Sequence, residues 1–240
     1  MILPEKVGKR KGRGFHTTIV TSFALEFRAF EEILLPQILA SGATNIVLIA
    51  DERMSSLSLS DGSTLPTQLG CDYALHGPPA SAGLFHPKII LQIGRDGARV
   101  FVGSANATAA GLVGNAEIAI EISCETEPSP HQAFVRSVWH YLERTLGDAE
   151  GAVRDAVLWA RDRAKWITEP VGQVVQVLPD GSLLAFFAVP GKSGILERFA
   201  EQLADTTVER LIVVSPYWDD DLAALDALRS ALKPTAIDVI

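Results

Sequence analysis

The sequence predicts an α/β fold, a mixed sheet flanked by helices, with a first lobe complete and a second lobe only begun. Three observations carry this. Segments rich in β-branched residues alternate with segments whose apolar residues recur at helical spacing, the pattern of a sheet with helical cover. A hairpin with apolar arms interrupts the alternation, which makes the sheet mixed rather than purely parallel. An early order also returns near the end: "TTIVTSFALEFRAFEEILLPQILASGATNIVLI" and "RLIVVSPYWDDDLAALDALRSALKPTAIDVI" both run apolar strand, serine, aromatic, helix, short loop, apolar strand.

Taken in order, the chain begins with a basic tail, residues 1–14, that holds Lys6, Lys9, Arg10, Lys11 and Arg13. "FHTTIVTSF" reads as a strand. The helix after it carries Phe23, Phe27, Phe30, Leu34 and Ile38 at helical spacing, and stops at Gly42. Pro36 should kink or divide it, since proline removes a helical donor. "NIVLIAD" is a buried strand. From Glu52 to about Gly83 the chain is irregular and rich in Ser, Gly and Pro, with only "CDYALHG" strand-like. "HPKIILQI", the turn "GRDGA" and "RVFVGS" form the hairpin. "NAEIAIEIS" is a further strand, with Ala116, Ile118, Ile120 and Ile122 on one face and Glu117, Ala119 and Glu121 on the other. Two packing helices follow, with faces built from Phe134, Val138, Tyr141 and Leu142 and from Val153, Val157, Ala160 and Ala164. The first lobe is placed at 15–170 and a connecting strand and helix at 171–209. The start of a second, truncated lobe is placed at 210–240, so the rest is expected downstream.

Composition narrows the class. A chain of 240 residues that is 48% apolar can fill a full-sized core. No segment reads as a signal peptide or a membrane span, and two cysteines without metal-type spacing suit a reduced, cytoplasmic setting. The net charge of −8 is awkward for a nucleic-acid binder, so charge leaves the partner open.

The chemistry-bearing residues lie in "LFHPKIILQIGRDGARVFVGSANAT". In a strand, residues two apart share a face, so His86 and Lys88 point together while Ile89, Leu91 and Ile93 enter packing. Gly103 closes the partner strand, where a missing side chain lets a ligand approach backbone; Ser104 and Asn106 follow, again two apart. An imidazole, an ammonium, a hydroxyl and an amide thus gather at one end of a sheet, a set suited to a phosphodiester. Lys88 and Asn106 can hold non-bridging oxygens, and neutral His86 can attack phosphorus. Glu117 faces the right way to orient the imidazole. Thr21 and Ser22, at the carboxyl end of the first strand, are candidates to line the pocket. So is His76, in the loop that enters the hairpin; His16, His131 and His140 have no matching partners. "PGKSG" lacks the earlier glycine of a Walker loop, that position being Phe186.

"HPK", then "GSAN", then a strand glutamate resembles the phospholipase D superfamily and its HxK…GSxN signature. The resemblance implies His86 as nucleophile or its acid/base counterpart, Lys88 and Asn106 as phosphate ligands, Ser104 in support and Glu117 orienting the histidine. It implies a phosphohistidine intermediate, no metal and no cofactor, and two such motifs per active site. Two departures stand out. Ile93 occupies the position where the family often has aspartate, and this sequence has no second HxK: either a downstream lobe or a dimer partner supplies it, or the site is incomplete. The expected activity is a nuclease on DNA or RNA, with DNA favoured and no membrane partner. The compact "VGSANATAAGLVGNAE" is similar to bacterial nuclease-like members, including those of restriction and phage defence. The alternatives are a phospholipid hydrolase or phosphatidyltransferase, and a non-catalytic phosphate- or nucleic-acid-binding module.

Overall fold

The structure, a computed structural model, describes residues 3–9, 14–60, 65–79, 83–188, 194–215 and 217–240. They form two compact units, 1–186 and 187–240.

The first unit is built on a six-stranded mixed sheet. After a helical turn α1 (Leu3–Val7) come β1 (Phe15–Ser22), a helix in three pieces, and β2 (Asn45–Ala50). Helix α4 (Glu52–Ser60) then leads to β3 (Ala74–His76), the hairpin strands β4 (Ile89–Gly94) and β5 (Gly97–Gly103), and β6 (Ala119–Glu125). The strand order is β3-β2-β1-β4-β5-β6. β1, β2 and β3 are parallel, and the remaining pairings are antiparallel. These directions bring the carboxyl ends of β1, β2 and β5 and the amino ends of β4 and β6 to the same end of the sheet.

The side-chain alternation expected of buried strands sorts the core into two layers. Ile19, Val47, Ile49, Ile89, Leu91 and Ile93 face α5 (Pro130–Thr145) and α6 (Gly151–Arg163), whose Val135, Val138, Trp139, Leu142, Val153 and Ala160 complete that layer. Val20, Ile46, Leu48, Ile90 and Phe101 face the other way, onto Phe27, Phe30, Leu34, Leu35 and Ile38. That covering helix consists of α2 (Phe27–Ala29), a π turn (Phe30–Leu34) and α3 (Leu35–Ala40). The π turn is how the chain meets Pro36. The Leu35 N–H donates to the Phe30 carbonyl, one residue farther back than in an α-helix, and proline's missing donor falls where the regular ladder is already interrupted. A two-stranded ribbon, β7 (Val175–Val177) and β8 (Leu183–Ala185), closes the unit, with Phe186 packed edge-on against Phe134 and Tyr141.

Three sequence expectations change here. Residues 52–60, read as irregular, are helix α4; its serines are poor helix formers, but Asp51 caps its start by accepting the N–H groups of Arg53 and Met54. The basic start of the chain is no free tail over residues 3–9. Val7 is buried, and the Arg99 guanidinium, lodged beside the Phe15 and Phe101 rings, donates to the Val7 and Lys9 carbonyls. Arg10, Lys11 and Arg13 lie outside the described residues. Of the face that carries Ala116, Ile118, Ile120 and Ile122, Ile118 lies ahead of β6 and is 76% exposed, and Ile120 is 62% exposed, because the apolar cover reaches only Ile122 and Cys124 farther along.

In the second unit, α7 (Ile195–Gln202) is followed by β9 (Arg210–Val213), α8 (Ala223–Leu232) and β10 (Ala236–Val239), with the two strands parallel. Pro190 to Lys192 of "PGKSG" lie outside the described residues. Among the described residues, no helix is long and apolar enough to cross a membrane.

Candidate active site

The site forms where the strands run out. The sheet ladder persists to Lys88, whose carbonyl accepts the Gly103 N–H at 3.1 Å; His86 and Pro87 stand just ahead of β4. Beyond that point side chains replace the ladder. Thr21 donates its hydroxyl to the Pro87 carbonyl at 2.9 Å and accepts the Ile89 N–H at 2.8 Å, bracketing the His-Pro-Lys segment. Ser22 accepts the Ala107 N–H at 2.9 Å, donates to the Ala24 carbonyl at 2.6 Å, and lies 3.4 Å from Asn106 Oδ1. Both residues are buried, with their hydroxyls occupied. Both act as clamps beneath the site; Thr21 also lines a small cavity with Lys88, Gly103 and Asn106, and Ser22 does not.

Above the clamps, His86 and Lys88 are together. Lys88 Nζ lies 3.0 Å from His86 Nδ1 and 3.3 Å from the His86 carbonyl. The imidazole is exposed on one side and stacks on the Phe23 ring on another, with centroids 4.5 Å apart. Partial burial, then the Lys88 charge, lower the His86 pKa from its ordinary 6.5, against the opposing pull of its own carbonyl and the Asp51 charge. The ring is thus neutral at neutral pH, as a nucleophile must be. Burial lowers the Lys88 pKa too, while Glu117 opposes this and favours the ammonium. Asn106 Oδ1 accepts from the Ala24 N–H at 3.2 Å, which fixes the amide by its oxygen and leaves Nδ2 as the donor to offer a ligand.

Glu117 is not on the imidazole. One oxygen accepts the Ser104 hydroxyl and the other the Asn115 side-chain amide at 3.2 Å. The orienting role expected of it is corrected accordingly: the group at Nδ1 is Lys88. Ser104 also accepts the Ile118 N–H at 3.0 Å, stitching the end of β5 to the run-in of β6. Gly103 needs its missing side chain for a different reason from the expected one. A Cβ there would stand 2.5 Å from the Ile118 carbonyl, so the neighbouring strand, not a ligand, fills the space. His76 is engaged with other partners. It pairs with Ile49 in register, and its ring is set against the Thr145 carbonyl and Asp148 at the end of α5.

Three contributors were missed. Phe23 walls the imidazole; the aromatic after the first strand was visible, but only as helix packing. Gly111 lets the chain pass the Asn106 backbone, where a Cβ would come within 2.5 Å of its carbonyl. Asp51, 2% exposed, accepts the Phe85 N–H at 3.0 Å immediately before His86. Nothing in its sequence neighbourhood marks it beyond its place at the end of a strand.

The sequence matches no protein-family model and no curated protein. The fold does match solved structures. A yeast tyrosyl-DNA phosphodiesterase mutant is 14% identical with a TM-score of 0.50, over 88% of this chain and 46% of that one. NucT from Helicobacter pylori is 15% identical with a TM-score of 0.38, over 60% of this chain and 85% of that one. Polyphosphate kinase from Porphyromonas gingivalis is 11% identical with a TM-score of 0.41, over 99% of this chain and 34% of that one. The chain spans about half the length of the tyrosyl-DNA phosphodiesterase structures it matches. Its fold is that of the tyrosyl-DNA phosphodiesterase structure, a mixed sheet flanked by helices.

Proposed function

We propose that this chain carries one half-site of a phosphodiesterase whose substrate is a nucleic acid, DNA before RNA. The observation that carries this reading is the meeting of a neutral His86, the Lys88 ammonium and the Asn106 amide at one end of the sheet. The unprotonated ring nitrogen of His86 attacks phosphorus, and the bond from phosphorus to the leaving oxygen breaks. That oxygen takes its proton from an acid of a second half-site. Water then attacks, the N–P bond breaks, and the proton lost by water returns to that acid's conjugate base. Lys88 and Asn106 hold the non-bridging oxygens as charge builds on them. The carboxamide is fixed by its oxygen alone, so its donor end requires no reorganisation. The second half-site comes from a further lobe of the same protein or from a second copy.

Purified full-length protein, given single-stranded DNA or bis(p-nitrophenyl) phosphate in EDTA, is expected to cleave both, and His86→Ala to cleave neither. Cleavage that requires added divalent metal would overturn the mechanism. A substrate labelled with ³²P at its internal phosphates and quenched under alkaline denaturing conditions should leave label on the protein whichever oxygen departs, since phosphohistidine survives base. One observation favours a second reading: the sequence has a single His-x-Lys and a net charge of −8. A protein that binds DNA through Lys88 without cutting it would be the non-catalytic module. A role in restriction or phage defence extends the nuclease reading, and phage plating on cells carrying wild type or His86→Ala tests it.

A further inference from the structure

Resting on the reading of His86 as nucleophile, we propose that Asp51 is a positioning residue of the site, its buried carboxylate fastening the backbone of the His86 segment to the start of α4. A carboxylate that is 2% exposed is costly unless satisfied. Asp51 satisfies itself with three backbone donors from two places. Oδ1 takes the Arg53 N–H at 3.0 Å and the Met54 N–H at 3.3 Å, capping α4, while Oδ2 takes the Phe85 N–H at 3.0 Å. Its own N–H is tied to the Ser22 carbonyl at 3.3 Å, so the same residue reaches the clamp under Asn106. Burial alone would push the Asp51 carboxyl up, but the N–H groups of Phe85, Met54 and Arg53 outweigh it and hold the group below the ordinary carboxylate range.

The placement matters because the His86 segment has little else to hold it. The strand begins only at Ile89, and Pro87 has no N–H. Thr21 fixes the segment after the histidine, and Asp51 fixes it before. The charged groups that act on the imidazole are Lys88 from its own segment and Asp51 from the end of β2; Glu117, ahead of β6, acts on Lys88. The Asp51 anion is the one that favours a positive ring, which is the charge His86 acquires as it attacks.

The test is Asp51→Asn in the full chain. An asparagine oxygen can serve α4 or Phe85, and its amino group can serve neither. With ¹⁵N-labelled histidine, the His86 resonances (absent from His86→Ala) should titrate at lower pH in Asp51→Asn, since burial and Lys88 then act with less opposition. Phosphodiester cleavage should fall about 10²-fold in kcat with KM little changed, as for a displaced reacting group. In the unsubstituted protein, the Phe85 amide resonance should move as Asp51 protonates. A folded Asp51→Asn with an unchanged His86 titration, or a Phe85 amide indifferent to acid, overturns the inference. If Asp51→Asn does not fold, the Phe85 measurement decides. A protein that cleaves nothing, yet shows both resonance shifts, keeps Asp51 in this role and discards the nuclease reading.

Discussion

At the end of β1, Ser22 donates its hydroxyl to the carbonyl two residues on; two residues past β9, Ser215 does the same, at 2.6 Å in one case and 2.7 Å in the other. The two strand–helix–strand pieces therefore share a turn as well as an order of elements, each with a parallel strand pair. They differ in what rests on that turn. The Ser22 hydroxyl receives the Ala107 N–H, 85 residues away, and so holds the Gly-Ser-Ala-Asn segment in place. Among the described residues, the Ser215 hydroxyl receives the N–H of Tyr217, its near neighbour. β1 and β2 are buried almost throughout, whereas Ile212 and Val239 of the second pair are exposed. Local sequence makes the turn, and long-range docking makes it a clamp. A site exists where the hairpin sits on the clamp.

Substitutions can break that contrast at graded strengths. The largest effect is expected from His86→Ala, which should reduce phosphodiester turnover to background in a quench-flow or gel assay, with the thermal midpoint unchanged because the ring is exposed. Next, Lys88→Ala and Asn106→Ala should each lower kcat by about 10²-fold, the cost of a lost charge-stabilising donor. Comparing the two serines then sharpens the lesson directly. Ser22→Ala leaves the Ala107 N–H buried without an acceptor and should cost about 1–3 kcal/mol by urea denaturation, with a fall in activity. Ser215→Ala, at a partly exposed turn, should stay within about 0.5 kcal/mol. Equal costs would show that docking does not distinguish the two turns. The mildest test is pH. Because the His86 pKa lies below 6.5, kcat/KM should rise with pH through a midpoint under that value and be level by neutrality. A rise centred above 6.5 would mean that His86 is not the group whose deprotonation is being read.

Much of this was legible in the residues themselves. Alternation placed Ile89, Leu91 and Ile93 in one layer, and the two-residue spacings brought His86 to Lys88. What was hidden depended on partners far away in sequence. Thr21 and Ser22 look like pocket residues because they are polar at a strand end, yet their hydroxyls are spent on Pro87, Ile89 and Ala107. Glu117 has the right face for the imidazole, but Ser104, just past β5, and Asn115, on the run-in to β6, take its oxygens first. Helix α4 escaped notice because its propensity is weak and its cap, Asp51, serves two masters.

The π turn at Phe30–Leu34 gives the covering helix one residue more than its axial length requires. Each residue of an α-helix advances the azimuth by about 100°. The turn absorbs that surplus, so Leu35 and Ile38 lie in one layer with Leu48 and Ile90. A single-codon deletion within the turn would relax it to ordinary α-helix and keep that aim, whereas the same deletion just after it would swing every later residue by about 100° round the axis. The covering helix can lose a residue at one place and not at the next.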